Sequence, residues 1–265
     1  MKKIGFIGAG NMATAIIDGI LRNDPASADS ITVFDVMAEK LEIMSKKGVS
    51  TTVSAKNVVE VSDITVLAVK PQNYAEVLES IKEAVNPNKV IVTIAAGIST
   101  DYIAKAVECE CPMVRVMPNT PLLLGVGATA VSRRNISDED FKYVYDMFAN
   151  GGVVEILDES QMNSVIAVNG SSPAYIYLFA KAMVDYAQKE GIAYDAALKL
   201  VCATLKGSAE MLENSGDTPD ILIKKVSSPG GTTLKALEKL DEKDFYNSVI
   251  EAMDACTKRA DELSK

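Results

Sequence analysis

The sequence predicts an α/β protein, a doubly wound sheet over residues 1–158 followed by an all-helical domain over 159–265. Three observations predict it. Short β-branched runs alternate with helical stretches through the first half. The first of these runs enters a glycine turn that opens a helix. After Asp158 no convincing strand remains. Alternating strands and helices read as βαβ units, and strands covered by helices on both faces must be nearly continuous in apolar residues.

The elements follow in order. Ile4–Ile7, Ile31–Phe34, Ile64–Val69, Val90–Ile94 and Met113–Val116 read as buried parallel strands. Ala128–Ser132 and Val153–Leu157 are two further strand-like runs. Between them, Ser137-Asp138-Glu139-Asp140 offers an N-cap and an acidic first turn. From there the segments are helical: Ser160–Glu190, Tyr194–Asn214, Thr218–Val226, Thr232–Lys239 and Asp244–Ser264. Gly191 and Gly216 stop the first two, and Pro173 is expected to kink the first. The domain boundary falls between Leu157 and Gln161. Several of these helices are strongly apolar, which suggests burial against another copy of the chain, with packing in a single core as the alternative.

Gly8-Ala9-Gly10-Asn11-Met12-Ala13 fits G-x-G-x-x-G/A, with a strand entering and a helix leaving over Met12 to Leu21. In a Rossmann-type sheet Gly8 permits the tight turn, Gly10 lets a pyrophosphate approach the backbone, and Ala13 allows close helix–strand packing. The helix N-terminus adds free N–H groups and positive dipole. A glycine turn kept for packing alone is the other reading, and the strand–turn–helix context weighs against it. Asp35 ends the second strand. A carboxylate there accepts hydrogen bonds from free ribose hydroxyls and repels a 2′-phosphate, which favours NAD(H). Capping of the next helix is its alternative role. Ala68-Val69-Lys70-Pro71 and Ala95-Ala96-Gly97 close two more strands with small or special residues, along the same crevice.

Two stretches carry chemistry beyond a cofactor: Arg115-Val116-Met117-Pro118-Asn119-Thr120-Pro121, and Val226-Ser227-Ser228-Pro229-Gly230-Gly231-Thr232-Thr233. The second offers hydroxyls and backbone N–H groups suited to a small carboxylate. A plain helix N-cap fits it about equally well.

Bulk properties exclude several classes. The chain has 265 residues, 48% hydrophobic content, 24% charged residues and a net charge of -9. With no basic cluster, neither nucleic acid nor an anionic membrane surface is an expected partner. No apolar run is long enough to span a bilayer, and the first strand starts so early that no signal peptide is expected, so a cytoplasmic location follows. Cys109, Cys111, Cys202 and Cys256 read as reduced thiols. With no histidine in the chain, no closed metal site is expected. The same lack excludes mechanisms built on an imidazole base.

The chain resembles the Δ1-pyrroline-5-carboxylate reductase family nearly end to end. The resemblance rests on GAGNMA at 8–13, AVKPQ at 68–72, AAG at 95–97, RVMPNTP at 115–121, GSSPAY at 170–175 and SSPGGTT at 227–233. It implies a dinucleotide domain followed by a helical dimerisation domain, in homodimers that often assemble into decamers. It implies reduction of the imine of L-1-pyrroline-5-carboxylate to L-proline by a nicotinamide hydride, with NADP(H) as the family habit. Gly8, Ala9, Gly10, Asn11, Met12, Ala68, Val69, Lys70, Pro71, Ala95, Ala96, Gly97 and Asn119 would hold the cofactor beside Asp35, with Lys225 near it. Glu159, Ser228, Gly230, Gly231, Thr232 and Thr233 would hold the substrate, with Thr233 near the ring nitrogen as the catalytic residue. The chain departs from the family at Ser172, where glycine is usual, and at Asp35, where small polar or basic residues are common. Two rivals rank behind. A β-hydroxyacid dehydrogenase would need a glycine–lysine–asparagine pattern that Lys181 lacks, and a non-catalytic nucleotide sensor would not keep SSPGGTT. A six-membered cyclic imine acid is a further candidate substrate.

Overall fold

The computed structural model describes residues 2–264. By contact the chain divides into two compact units. The first runs to Ser171 and takes back the chain from Ala255; the second is Ser172–Asp254. Strands end near the boundary read from the sequence, while the first unit continues about a dozen residues past it.

The first unit is one eight-stranded sheet: β1 (Ile4–Ile7), β2 (Ile31–Phe34), β3 (Ser50–Thr51), β4 (Ile64–Leu67), β5 (Val90–Thr93), β6 (Met113–Met117), β7 (Gly127–Arg134) and β8 (Gly152–Ile156). Their order is β3-β2-β1-β4-β5-β6-β7-β8. β7 runs antiparallel to β6, β8 is parallel to β7, and all other pairs are parallel. The chain order reverses between β1 and β4, and the crevice outside the strand ends at such a switch is where ligands of open α/β sheets bind.

Alternation along each strand builds two cores. Ile4 and Phe6 of β1, Ile64 and Val66 of β4, and Val90 and Val92 of β5 face one side. There they meet Ile16, Ile17 and Ile20 of α1 (Asn11–Asn23) and Phe141, Val144 and Phe148 of α6 (Asp138–Ala149). Ile7, Leu67 and Ile91 face the other, against α3 (Ala55–Val61), α4 (Tyr74–Ile81) and α5 (Thr100–Val107). The short α2 (Ala38–Lys46) follows β2. Each fully buried Ile or Phe adds about 1.5–3 kcal/mol, so the two layers together outweigh any single polar contact in setting this fold.

Beyond β8 the continuous helix expected over Ser160–Glu190 is not formed. Glu159–Gln161 is a short 3-10 turn, Ile166–Gly170 a π-helical turn, and α7 (Ser172–Lys189) starts only at Ser172. Pro173 is therefore the second residue of a helix and does not kink one. A first-turn N–H has no partner inside the helix, so proline loses nothing there. The second unit comprises α7, α8 (Tyr194–Asn214), α9 (Pro219–Lys225), α10 (Thr232–Glu242) and the start of α11 (Phe245–Leu263). Its core is small: Val184, Ala197 and Val201, flanked by Ala180, Met183, Ala187 and Leu205. Among the described residues, no helix is long and apolar enough to cross a membrane.

Candidate functional site

Register brings most of the sequence-predicted residues of the first unit to one sheet edge. Ile7 pairs with Phe34 and with Leu67, and Leu67 pairs with Thr93. The residues just past those pairs are Gly8, Asp35, Ala68 and Ile94. Tyr74 fastens the edge from below: its hydroxyl donates to Leu67 O at 2.9 Å and lies 2.7 Å from Thr93 Oγ1. Complete burial raises its phenol far above the usual range, so it remains a neutral hydrogen-bonding post.

The two glycines of the opening turn answer to different constraints. Gly8 has φ +102, its N–H donates to Phe34 O at 2.7 Å, and a Cβ on it would lie 2.6 Å from Ala68 O. Packing and backbone alone demand glycine there. Gly10 has an ordinary φ of −76, and a Cβ on it would meet nothing within 4 Å. Among the described residues no neighbour needs that space. Gly10 is also the N-cap of α1, and no side chain caps the helix. The first-turn N–H groups therefore face a cleared surface, which is the geometry a pyrophosphate needs. Ala13, one turn on, is fully buried against the sheet.

Asp35 is held where β2 ends. Its Oδ2 accepts the Ala9 N–H at 2.7 Å and its Oδ1 accepts the Met37 N–H at 2.9 Å. Lys40 Nζ lies 3.3 Å from Oδ2. The carboxylate thus ties the glycine turn to the loop after β2. Across the edge, Ala68 and Val69 are half-buried, Lys70 is exposed, and Pro71 starts a 3-10 turn. These residues fit a dinucleotide: an open glycine face, an uncapped helix and a carboxylate at the end of β2.

Gly97 has a second reason to be glycine. The last turn of α11 lies directly on it, and a Cβ would come within 2.8 Å of Leu263 Cβ. Asn119 is buried and its amide serves the fold. Its Oδ1 accepts the Ala128 N–H at 2.9 Å, and its Nδ2 donates to Asn169 O at 3.2 Å. Asn169 in turn donates to Met117 O and Ala128 O. These contacts lock the ends of β6 and β7 to the π-helical turn, a kind of irregularity often found at functional sites.

Glu159 is likewise engaged. Its Oε1 accepts from the Thr100 N–H at the start of α5 and from Arg115 Nη1, both at 3.2 Å, and its Oε2 accepts from Ser132 Oγ at 2.5 Å. Arg115 is only 4% exposed and also donates to Asn163, whose amide donates to Asp261 near the chain end. Sequence reasoning quoted Arg115 without a role. A lone arginine inside the apolar run of β6 was the available signal, since a buried charge requires a partner.

In the second unit, Ser228, Gly230, Gly231, Thr232 and Thr233 form the turn that starts α10. Gly231 N–H closes it onto Ser228 O at 2.9 Å. Gly231 is the N-cap, and no side chain caps the helix. The loop hydroxyls are therefore not spent on capping, which was the plain alternative for this stretch. Ser227 Oγ donates instead to Ile223 O in α9 at 2.7 Å. Lys225 pairs with Asp217.

Comparison with known proteins agrees with this layout. Residues 159–263 match the family model described as pyrroline-5-carboxylate reductase dimerisation, and residues 3–97 match the one described as NADP oxidoreductase coenzyme F420-dependent. The pyrroline-5-carboxylate reductase of Escherichia coli is 37% identical over 100% of this chain and 99% of its own length. Pyrroline-5-carboxylate reductase 1 of Bacillus subtilis is 32% identical over 100% of this chain and 90% of its own. The crystal structure of the Plasmodium falciparum pyrroline carboxylate reductase with NADP bound superposes with a TM-score of 0.92 at 29% identity, covering 100% of this chain and 98% of that one. With relatives above 30% identity along its whole length, the chain belongs to the pyrroline-5-carboxylate reductase family.

Proposed function

We propose that this chain reduces the cyclic imine L-1-pyrroline-5-carboxylate to L-proline with a nicotinamide dinucleotide. The observation that carries the reading is the cleared face of Gly10 at the uncapped start of α1, on the switch-point edge of the sheet. The family relatives supply the substrate class. Gly8 through Met12, with Asp35, Ala68, Val69, Lys70, Pro71, Ala95, Ala96, Gly97 and Asn119, would hold the dinucleotide. When bound it supplies the hydride that reaches the C=N carbon.

The remaining work is orientation. The N–H groups at the start of α10, with Ser228, Gly230, Gly231 and Thr232, hold the substrate carboxylate. Glu159, held as the fixed end of the Arg115 network, would serve the substrate as the acidic residue of the family pattern. Thr233 hydroxyl hydrogen-bonds the ring nitrogen as it changes from imine to amine. A threonine hydroxyl has a pKa far from neutral, so the proton arrives with the substrate or from water, and no strong protein acid is required. That agrees with a chain of zero histidines. Positioning of this kind lowers barriers by removing the orientational cost of a two-body reaction.

Asp35 favours NAD(H), whereas the family habit is NADP(H). The protein acts as a dimer in the cytoplasm, and dimers assemble further into decamers as family members often do. The test is the initial rate on L-1-pyrroline-5-carboxylate with NADH and NADPH side by side, for the native chain and for Thr233→Ala. The reading expects turnover, with Thr233→Ala lowering kcat while dinucleotide affinity holds. No turnover with either cofactor would overturn the substrate, and an unchanged Thr233→Ala rate would remove that residue from the chemistry.

A further inference from the structure

Asp35 does not stand alone at the end of β2. Lys40, in the first turn of α2, pairs with it at 3.3 Å, the carboxylate side chain being 8% exposed and the lysine 35%. Among the described residues the Lys40 ammonium has no other hydrogen-bond or ion-pair partner. Asp35 Oδ2 also accepts the Ala9 N–H of the glycine turn, so the pair sits against the loop assigned to the pyrophosphate. A cation at this corner of a dinucleotide fold is what accommodates a 2′-phosphate, and a carboxylate at the same corner is what refuses it.

We propose that Lys40 is a latent 2′-phosphate ligand neutralised by Asp35, and that this ion pair sets the choice between NADH and NADPH. The inference rests on the dinucleotide reading of the glycine turn. Asp35 then acts twice: it repels the phosphate and it occupies the cation that would bind one. The two effects separate experimentally. If repulsion alone mattered, removing the Asp35 charge would improve NADPH binding whether or not Lys40 were present. If the pair matters, the improvement requires Lys40.

The experiment is calorimetric binding of NADH, NADPH and the fragments 5′-AMP and 2′,5′-ADP to the native chain, Asp35→Asn, Lys40→Met and the double variant. Asp35→Asn keeps an acceptor for the loop N–H groups, and Asp35→Ser is the second variant should it fold poorly. Hydrogen bonds to charged groups are strong enough that Asp35→Asn is expected to tighten 2′,5′-ADP relative to 5′-AMP about tenfold. Adding Lys40→Met should remove most of that gain. An equal gain with and without Lys40 would overturn the inference. So would a native chain that prefers NADPH and loses that preference on Lys40→Met, since Lys40 would then be free already. A native chain that binds neither NADH nor NADPH would instead overturn the dinucleotide reading beneath it.

Discussion

Gly8 and Gly10 lie two residues apart and separate folding from binding at the scale of one methyl group. Alanine at Gly8 must adopt φ +102 and press against Ala68 O at 2.6 Å. Backbone strain of this kind costs about 1–3 kcal/mol before the clash is counted, so Gly8→Ala is expected to lower the melting temperature by several degrees. Alanine at Gly10 meets nothing within 4 Å and keeps an ordinary φ. Gly10→Ala is expected to melt like the native chain and to lose dinucleotide affinity, read by calorimetry. Equal melting and equal affinity would show that the space above Gly10 is idle. Cys111 makes a residue-scale prediction of another kind. Burial, with Cys109 close by, pushes its thiol up from 9.0 to about 12. The unfolded chain ionises first, so the contribution to stability is complete below pH 9 and is lost as pH rises from there towards 12. Denaturation midpoints at pH 8 and pH 10.5 should fall further for the native chain than for Cys111→Ala.

At the scale of elements, the Glu159 turn is a clasp. One carboxylate closes the start of α5, the buried Arg115 of β6 and Ser132 of β7, while Asn163 carries the contact on to Asp261 near the end of α11. Removing one partner of a buried ion pair strands the other, at about 3–5 kcal/mol when both are fully buried. Solvent reaches Glu159, whose side chain is 37% exposed, so Glu159→Ala is expected to cost nearer ~2 kcal/mol in urea denaturation. Glu159→Gln keeps the acceptors and should cost less. A cost near zero would mean that Arg115 finds another partner. None of this clasp was legible beforehand except as an arginine out of place. Hydrophobic period reports which face of an element is buried, and Glu159 meets Arg115 across 44 residues of chain with no period to link them. The strands were legible because buried parallel strands are continuous β-branched runs. β3 was not, since Ser50–Thr51 is two exposed polar residues paired to β2 by backbone alone. The helix expected from Ser160 failed for a related reason. Its apolar residues are real, but they pack a 3-10 turn and a π-helical turn ahead of α7. Position decides what Pro173 does, and composition could not reveal that the helix begins one residue before it.

At the scale of the whole molecule, the second unit poses a problem that one chain does not solve. Among its described residues only Pro173, Val184, Ala197 and Val201 are buried. Leu178 is 69% exposed on α7 and Leu200 64% on α8, with Ile176, Phe179, Leu198, Met211 and Leu212 also open. Monomeric proteins rarely leave apolar patches of this extent to water, and so small a core cannot offset the conformational entropy of five helices. The remedy open to a single gene product is a second copy, whose matching face closes the surface by two-fold symmetry. The match of residues 159–263 to a dimerisation model agrees. The native chain is therefore expected to sediment as a dimer or larger, with a melting temperature that rises with protein concentration, because association stabilises by mass action. Leu200→Asp places a charge where apolar surface must be covered. Losing a well-packed interface residue costs about 2 kcal/mol or more, which weakens association at least thirtyfold. At micromolar protein that variant should shift towards monomer and melt earlier. A native chain that sediments as a stable monomer, with no dependence on concentration, would mean that these helices close on themselves.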